Sequence, residues 1–277
     1  MLKIAVQKSD RISKGFLELL AKCGLKIEGN QSKLYCKFSE LPIELYFVRG
    51  SDIPALLENK LDVAVLGQDS FLEYRLGKIT SIKKELGFAK CRLAFAGKDK
   101  DNANFNGKTI ATSYVNILQD YLNKTKIDAK IVQMSGSVES SIELGLADTI
   151  FDIVQTGSTL LQHGLLEYAK ALDLEAVLIA KNGFQSEILN NLLFRINAVL
   201  NGKPCKYVMF NLKRDLLDNI VKALPAGKSP TVLNLANEDY CAIHTLCSEN
   251  EIWDVCEKLR HNGAEDILVS DVNLRFL

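Results

Sequence analysis

An apolar run from Thr149 to Val154 stops at Gln155-Thr156-Gly157-Ser158-Thr159, and leucines then return at helical spacing as Leu160, Leu161, Leu165 and Leu166. Short apolar runs bounded by turn residues read as buried strands, and recurrence at three and four residues reads as a helix, so this stretch is strand, tight loop, helix. A strand apolar on both faces belongs in a parallel sheet covered on both sides. The unit recurs. Leu2 to Val6 precedes a polar loop and a helix carrying Phe16, Leu17, Leu19 and Leu20; Leu61 to Gly67 precedes Gln68-Asp69-Ser70; Thr109 to Thr112 precedes a helix from Val115 to Leu122. Repeated βα units specify an α/β fold whose ligand crevice lies at the carboxyl ends of its strands.

The loop after Val154 has two readings. Ser158 or Thr159 capping a helix behind a buried strand is the plain structural one. The other is an anion cradle: first-turn N–H groups lack partners, the helix dipole adds positive charge, and Gly157 admits close backbone approach. The hydroxyls of Thr156, Ser158 and Thr159 are further donors, and Leu160 closes the loop. No lysine follows the glycine, which excludes a Walker loop. Asp152 stands inside the apolar run, and Glu139 opens the preceding helix behind Ser135-Gly136-Ser137, with Ser137 as the expected cap of a helix from Val138 to Leu146. A first-turn glutamate is often only a dipole partner. Two carboxylates beside a phosphate cradle also suit the hydroxyls of a phosphosugar.

Composition narrows the class. The 277 residues contain 34 Lys plus Arg and 34 Asp plus Glu, so no net charge draws the chain to nucleic acid or to a membrane surface. No window approaches the ~20 apolar residues of a membrane span, and the apolar start is too short for a signal peptide, so a cytoplasmic location is expected. Seven scattered cysteines without a CxxC pair read as reduced thiols, and three histidines without ligand spacing argue against a zinc site built by the protein.

Later elements divide the chain. A new strand at Cys91 to Ala96 marks a domain crossing near residue 91, followed by a polar surface loop from Gly97 to Asn102. A helix is expected near Gly164 to Ala171, then a strand from Ala176 to Ala180 and a helix from about Ser186 to Leu200 that returns to the first domain. From residue 204 the order strand (Lys206 to Phe210), helix, strand (Thr231 to Leu235), strand (Tyr240 to Leu246), helix, strand (Asp266 to Val269) is ferredoxin-like βαββαβ, punctuated by Pro225, Gly227 and Pro230.

The pieces A-V-Q-K-S-D-R-I-S (5 to 13), V-R-G-S-D-I-P (48 to 54), D-V-A-V-L-G-Q-D (62 to 69), G-F-A-K-C-R-L-A (87 to 94), T-I-A-T-S-Y (109 to 114), G-S-V-E (136 to 139), G-L-A-D (145 to 148) and the loop at 155 to 160 together resemble the ATP phosphoribosyltransferases. They fall in that family's order, and the C-terminal segment resembles the regulatory domain of its long form. The resemblance implies a two-lobed core similar to periplasmic binding proteins, with residues 1–91 and 181–203 in lobe I, 92–180 in lobe II and 204–277 in the regulatory domain. It implies that ATP and phosphoribosyl diphosphate react with Mg2+ held mainly by the diphosphate, that histidine is the feedback inhibitor, and that the chain forms dimers and hexamers.

Carried onto this sequence, the family's pattern makes Gln155, Thr156, Gly157, Ser158, Thr159 and Leu160 the phosphate loop, and Glu139 and Asp152 the carboxylates on the ribose. Lys8 and Arg11, ordinary surface charge when read alone, and Arg49, expected to face the cleft, become contacts for polyphosphate. Thr231 and, second, Asn211 fall to the inhibitor. The family commonly has glycine where this chain has Asp10, a carboxylate that would repel anionic substrates. A non-catalytic small-molecule sensor, or a degraded paralogue of the same fold, is the competing expectation.

Overall fold

Runs that are apolar on both faces become interior strands of two sheets in the computed structural model, which describes residues 1–28, 34–98, 104–224 and 230–277. The chain divides into two units, residues 1–190 and 191–277. Within the first, β1 (Leu2–Gln7), β2 (Ile27–Glu28), β3 (Tyr35–Phe38), β4 (Ile43–Val48), β5 (Val63–Gly67) and β6 (Thr80–Glu85) join β12 (Ala176–Lys181) in the order β2-β3-β4-β1-β5-β12-β6. β1 runs parallel to both β4 and β5, which brings the carboxyl ends Gln7, Val48 and Gly67 to one edge. Helices α1 (Gly15–Lys22), α2 (Ile53–Asn59) and α3 (Gln68–Glu73) follow those edges. α2 buries Ile53 and Leu57 on Ala5, Ala64, Leu66 and Ile179. Pro54 sits in its first turn, but Asp52 makes no side-chain cap there.

The second sheet has the order β11-β7-β10-β8-β9, from β7 (Cys91–Gly97), β8 (Thr109–Thr112), β9 (Lys130–Gln133), β10 (Thr149–Val154) and β11 (Leu166–Leu174). β10 lies at its centre, parallel to β8 and antiparallel to β7. On one face Leu93, Phe95 and Phe151 pack with Leu118 and Leu122 of α4 (Val115–Thr125), and Phe95 stacks on Phe105 with ring centroids 4.2 Å apart. The other face carries the small residues Ala94 and Ala96 beside Ile150 and Val154, under Leu160 of α6 (Ser158–Gln162) and close to the short α5 (Ser140–Glu143).

Two crossings link the sheets. The outward one follows β6, where the chain is expected to leave lobe I, and the return comes at Glu175 rather than after residue 180. β12 is fully buried from Ala176 to Ala180 and slots antiparallel between β5 and β6, completing the first sheet. An all-apolar run shows that a strand is interior without showing which sheet it enters. The stretch from Gly164 to Ala171, expected as helix, is instead the start of β11. Two bulges along its pairing with β7 erase the alternation that marks a strand. The helix expected from Val138 to Leu146 is confined to α5, with Ser137 outside it at φ 48°.

The helix α7 (Glu187–Gly202) was expected to return to lobe I, yet its residues from 191 onward belong to the second unit. The end of the chain lies along it: Arg275 N–H donates to the Ala198 carbonyl at 2.9 Å, and the Phe194 and Phe276 rings are 5.1 Å apart. A Cβ at Gly202 would stand 2.5 Å from the Val272 carbonyl oxygen, so glycine is required for this approach. The unit continues as β13 (Cys205–Lys213), α8 (Leu217–Ala223), β14 (Thr231–Asn234), β15 (Tyr240–Ser248), α9 (Ile252–His261) and β16 (Glu265–Asp271). Its sheet order β14-β15-β13-β16, all pairs antiparallel, is the expected ferredoxin-like arrangement. Val208, Phe210, Leu212 and Ile243 pack against Ile220, Val255 and Leu259 of its helices. Most of the expected loop at 97–102, and the turn at Pro225 and Gly227, lie outside the described residues.

The two lobes of the first unit touch through a helix end. Glu73, the last residue of α3, accepts the N–H groups of Asn116 and Ile117 at 3.0 and 3.1 Å, in the first turn of α4. Arg75 adds an ion pair to Asp120 at 3.0 Å. A carboxylate there satisfies orphan donors and opposes the positive end of the dipole. Glu73→Ala should therefore lower the unfolding free energy by about 1–2 kcal/mol, read as an earlier urea midpoint. An unmoved midpoint would show that the cap is idle.

Candidate active site

At the edge of lobe I the side chain of Gln7 ties strand ends together. Its Oε1 accepts the Gly67 N–H at 2.9 Å, and Gly50 leaves room for its amide, since a Cβ there would stand 3.2 Å from Nε2. Ser9 then caps a single π-helical turn, Asp10–Lys14, accepting from the Ile12 N–H at 3.3 Å, and buried Ile12 anchors the turn. π turns inserted at helix ends are frequent at functional sites. Lys8 and Asp10 remain exposed, while half-buried Arg11 places Nη2 3.6 Å from Oδ1 of Asp69. Arg49, exposed, begins the turn after β4 at the same edge.

Asp69 is only 4% exposed, and among the described residues no hydrogen bond reaches its Oδ1. Its Oδ2 lies 3.5 Å from both the Ser70 hydroxyl and the Tyr114 hydroxyl. Gly67 makes this packing possible, because a Cβ would fall 2.0 Å from Oδ1. Tyr114 comes from lobe II, just past β8, so the carboxyl edges of the two sheets meet here. Burial pushes the Tyr114 hydroxyl well up, and the carboxylates of Asp69 and Asp152 push it further. Burial likewise raises the Cys91 thiol, opposed by the neighbouring Arg11.

In lobe II, β10 delivers the loop. Gly157 has φ 82° and ψ 0°, a left-handed conformation that favours glycine, and it leads directly into α6. Gln155, Thr156, Ser158 and Thr159 are exposed, and the Thr156 and Ser158 hydroxyls are 3.0 Å apart. The Leu160 side chain is buried in the core, so only its backbone can serve a ligand. Asp152 lies opposite Ala94, and its Oδ1 accepts its neighbour Ile153's N–H at 2.7 Å. Burial drives its carboxyl up to about 6; the Ile153 hydrogen bond pulls the other way, and the charges of Glu139 and Asp69 add to the rise. Glu139, partly buried, precedes α5 and makes no side-chain cap there, which leaves it the place of a dipole partner at the helix start.

The expected residues thus fall into two groups that approach each other: Lys8, Arg11 and Arg49 at one sheet edge, Glu139, Asp152 and the loop at the other. Thr231 and Asn211 lie elsewhere, in the second unit. Their strand positions are opposite His244 and Ala242 of β15, and the Asn211 amide donates to Asp266 at 3.2 Å. Sequence reasoning passed over Asp69 and Tyr114, and also Arg92 and Glu167, which form a bidentate pair at 2.7 and 2.5 Å beside the loop. Asp69 resembled an ordinary first-turn acid, and burial is what sets it apart.

The environment of Asp152 has a measurable cost. A carboxyl raised from 3.8 to about 6 binds more protons folded than unfolded, so its contribution falls as pH rises from about 4 to 6, and the ionised form is disfavoured above that. The shift corresponds to on the order of 2–3 kcal/mol. Asp152→Asn should raise the melting temperature at pH 8, and the gain should shrink as pH drops from 6 to 4. Equal gains at pH 4 and pH 8 would remove charge burial as the cause.

The profile described as ATP phosphoribosyltransferase matches residues 49–198, and one described as the HisG C-terminal domain matches residues 203–274. The ATP phosphoribosyltransferase of Bacteroides thetaiotaomicron is 41% identical, with 97% of each chain covered. That of Phocaeicola vulgatus is 39% identical, with 100% of each covered. Among solved structures, an ATP phosphoribosyl transferase (HisG:HisZ) complex from Thermotoga maritima aligns at TM-score 0.60 and 25% identity, covering 71% of this chain and 96% of that one. A double mutant of the BvgS VFT2 domain of Bordetella pertussis, at TM-score 0.50 and 16% identity over 70% of this chain and 86% of that one, shares the two-lobed fold alone. Joined to two sheets that meet at their carboxyl edges and to a separate ferredoxin-like unit, these likenesses show that the chain belongs to the ATP phosphoribosyltransferase family, in its long form with a C-terminal domain.

Proposed function

We propose that the chain joins N1 of the adenine of ATP to C1 of phosphoribosyl diphosphate and expels diphosphate, the first step of histidine biosynthesis. The observation that carries this reading is the left-handed Gly157, three residues beyond the strand β10 that holds a partly buried carboxylate, in a loop whose hydroxyl residues are exposed. The N–H groups around the bend and the hydroxyls of Thr156, Ser158 and Thr159 hold the 5-phosphate, and Gln155 and the Leu160 backbone frame it. Glu139 and Asp152 take the ribose hydroxyls and favour the positive charge that develops on the ring as the bond from C1 to diphosphate breaks.

The N1 lone pair forms the new bond, so the site needs orientation and charge rather than a strong base. Lys8, Arg11 and Arg49 stabilise the polyphosphates, and Asp69 sets the orientation of Arg11 from 3.6 Å. Asp10 is exposed at the start of the π turn, where its charge lowers the local attraction for anions without blocking the edge. The described residues include no cluster of three metal-ligating side chains. Magnesium suits such a site because it retains water and binds chiefly through substrate phosphates, with one or two carboxylates at most. When bound it offsets the charge on the departing diphosphate.

Histidine acts, in this reading, on the C-terminal sheet near Thr231 and Asn211, and the same domain builds dimers and hexamers. A cytoplasmic location, where ATP is available, accords with the described helices, none of which is long and apolar enough to cross a membrane.

Diphosphate release from ATP, phosphoribosyl diphosphate and magnesium tests the activity; no release would favour a sensor. Gly157→Val has space, its nearest neighbour being Val154 Cγ1 at 3.9 Å, but it strains φ 82°. It should abolish phosphoribosyl diphosphate binding while the circular dichroism spectrum stays unchanged. Glu139→Gln should lower turnover by about 10², and a normal rate would take Glu139 out of the chemistry.

A further inference from the structure

We propose that Arg92 is a positioning residue for the phosphate loop, holding the carbonyl of Gln155 in a place set by Glu167. Arg92 lies on β7 opposite Val154, the last residue of β10, and so stands where the strand gives way to the loop. Its Nε and Nη2 donate to the two carboxylate oxygens of Glu167 at 2.7 and 2.5 Å, and its remaining Nη1 donates to the Gln155 carbonyl at 3.3 Å. A guanidinium is a rigid planar fork, so fixing two of its edges fixes the third. The carbonyl position is therefore transmitted from Glu167 through one plane.

Glu167 reaches Arg92 although its own backbone pairs with Ala96, and the strand that carries it has two bulges. Each partner stabilises the charged form of the other. The loop has few other restraints. Among the described residues, the other side-chain hydrogen bonds of residues 155–159 are internal, between Thr156 and Ser158, and the helix behind the loop is five residues long. A carbonyl anchored just before a left-handed glycine aims the N–H groups that follow. Misplacement by about 1 Å is enough to cost two orders of magnitude in a reaction that depends on orientation.

The inference rests on the loop holding the 5-phosphate, and the test separates the two. Steady-state diphosphate release by the full chain is measured for Arg92→Lys, Glu167→Gln, the double variant and Gly157→Val. A lysine keeps the charge but lacks the planar fork that holds two partners in one fixed geometry. Arg92→Lys should raise KM for phosphoribosyl diphosphate roughly tenfold, with KM for ATP and the melting temperature little changed. Glu167→Gln should raise the same constant by less, and the double variant should be no worse than Arg92→Lys alone. Parallel changes in both KM values, or a lower melting temperature with unchanged KM values, would reduce the pair to a structural ion pair. If Gly157→Val loses phosphoribosyl diphosphate affinity while Arg92→Lys and Glu167→Gln keep it, the anchoring is wrong and the loop reading stands. If Gly157→Val keeps affinity, both fall. Should Arg92→Lys fail to fold, Glu167→Gln alone decides, because it leaves the guanidinium in place.

Discussion

The site depends on two stretches of chain crossing between the sheets side by side. Leu86 N–H donates to the Ala176 carbonyl and Ala176 N–H to the Phe88 carbonyl, at 2.9 and 3.0 Å. Glu175 fastens this pair at both ends: its carboxylate accepts the Gly87 N–H at 2.6 Å, and its backbone exchanges hydrogen bonds with Gln68, N–H to side chain at 3.0 Å and carbonyl from the Gln68 N–H at 2.9 Å. Gln68 opens the helix after β5 and adjoins Asp69. The staple that joins the lobes is thus one residue from the carboxylate that Arg11 and Tyr114 approach from either side. Helices that open behind parallel strands bring first-turn N–H groups to the carboxyl edge of each sheet, and the crossings turn two such edges toward each other.

Charge at that junction is arranged against local comfort. Among the described residues Asp69 keeps a buried oxygen without a hydrogen bond, Asp152 is a partly buried carboxylate with another nearby, and Gly67 gives up a side chain so that Asp69 can fit. A buried oxygen without a hydrogen bond and a buried charge each cost folding free energy. They are the kind of strain a protein tolerates where a ligand will later provide the missing partners, and the large apolar faces on either side of β10 supply the stability that offsets them.

Much of this was legible in the residues. The βα rhythm, the crossing near Cys91, the turn at Gly157 and the βαββαβ order of the last domain all follow from local rules, and the candidate residues of each edge lie in or beside loops at strand ends. What escaped was long-range. Ala176 to Ala180 is an interior strand in either sheet, and only pairing with β5 and β6 decides which. Glu167 sits in a stretch whose bulges mimic helical spacing, so neither its strand nor its reach to Arg92 had a periodic signature. Asp69 differs from any other acid at the start of a helix only by being buried, and burial belongs to the assembled sheet.

Because β12 fills the gap between β5 and β6, the first sheet is interrupted in the chain by the whole of the second. On a ribosome, lobe II emerges complete before lobe I has its last interior strand. Lobe II is therefore free to collapse alone, while the apolar β5 waits with one side unjoined and β6 waits without a partner strand. Long-range pairing of this kind is slow and exposes strand edges to other chains. The exposed lysines of β6, Lys83 and, less so, Lys84, fall where charge would discourage such encounters until the closing strand arrives.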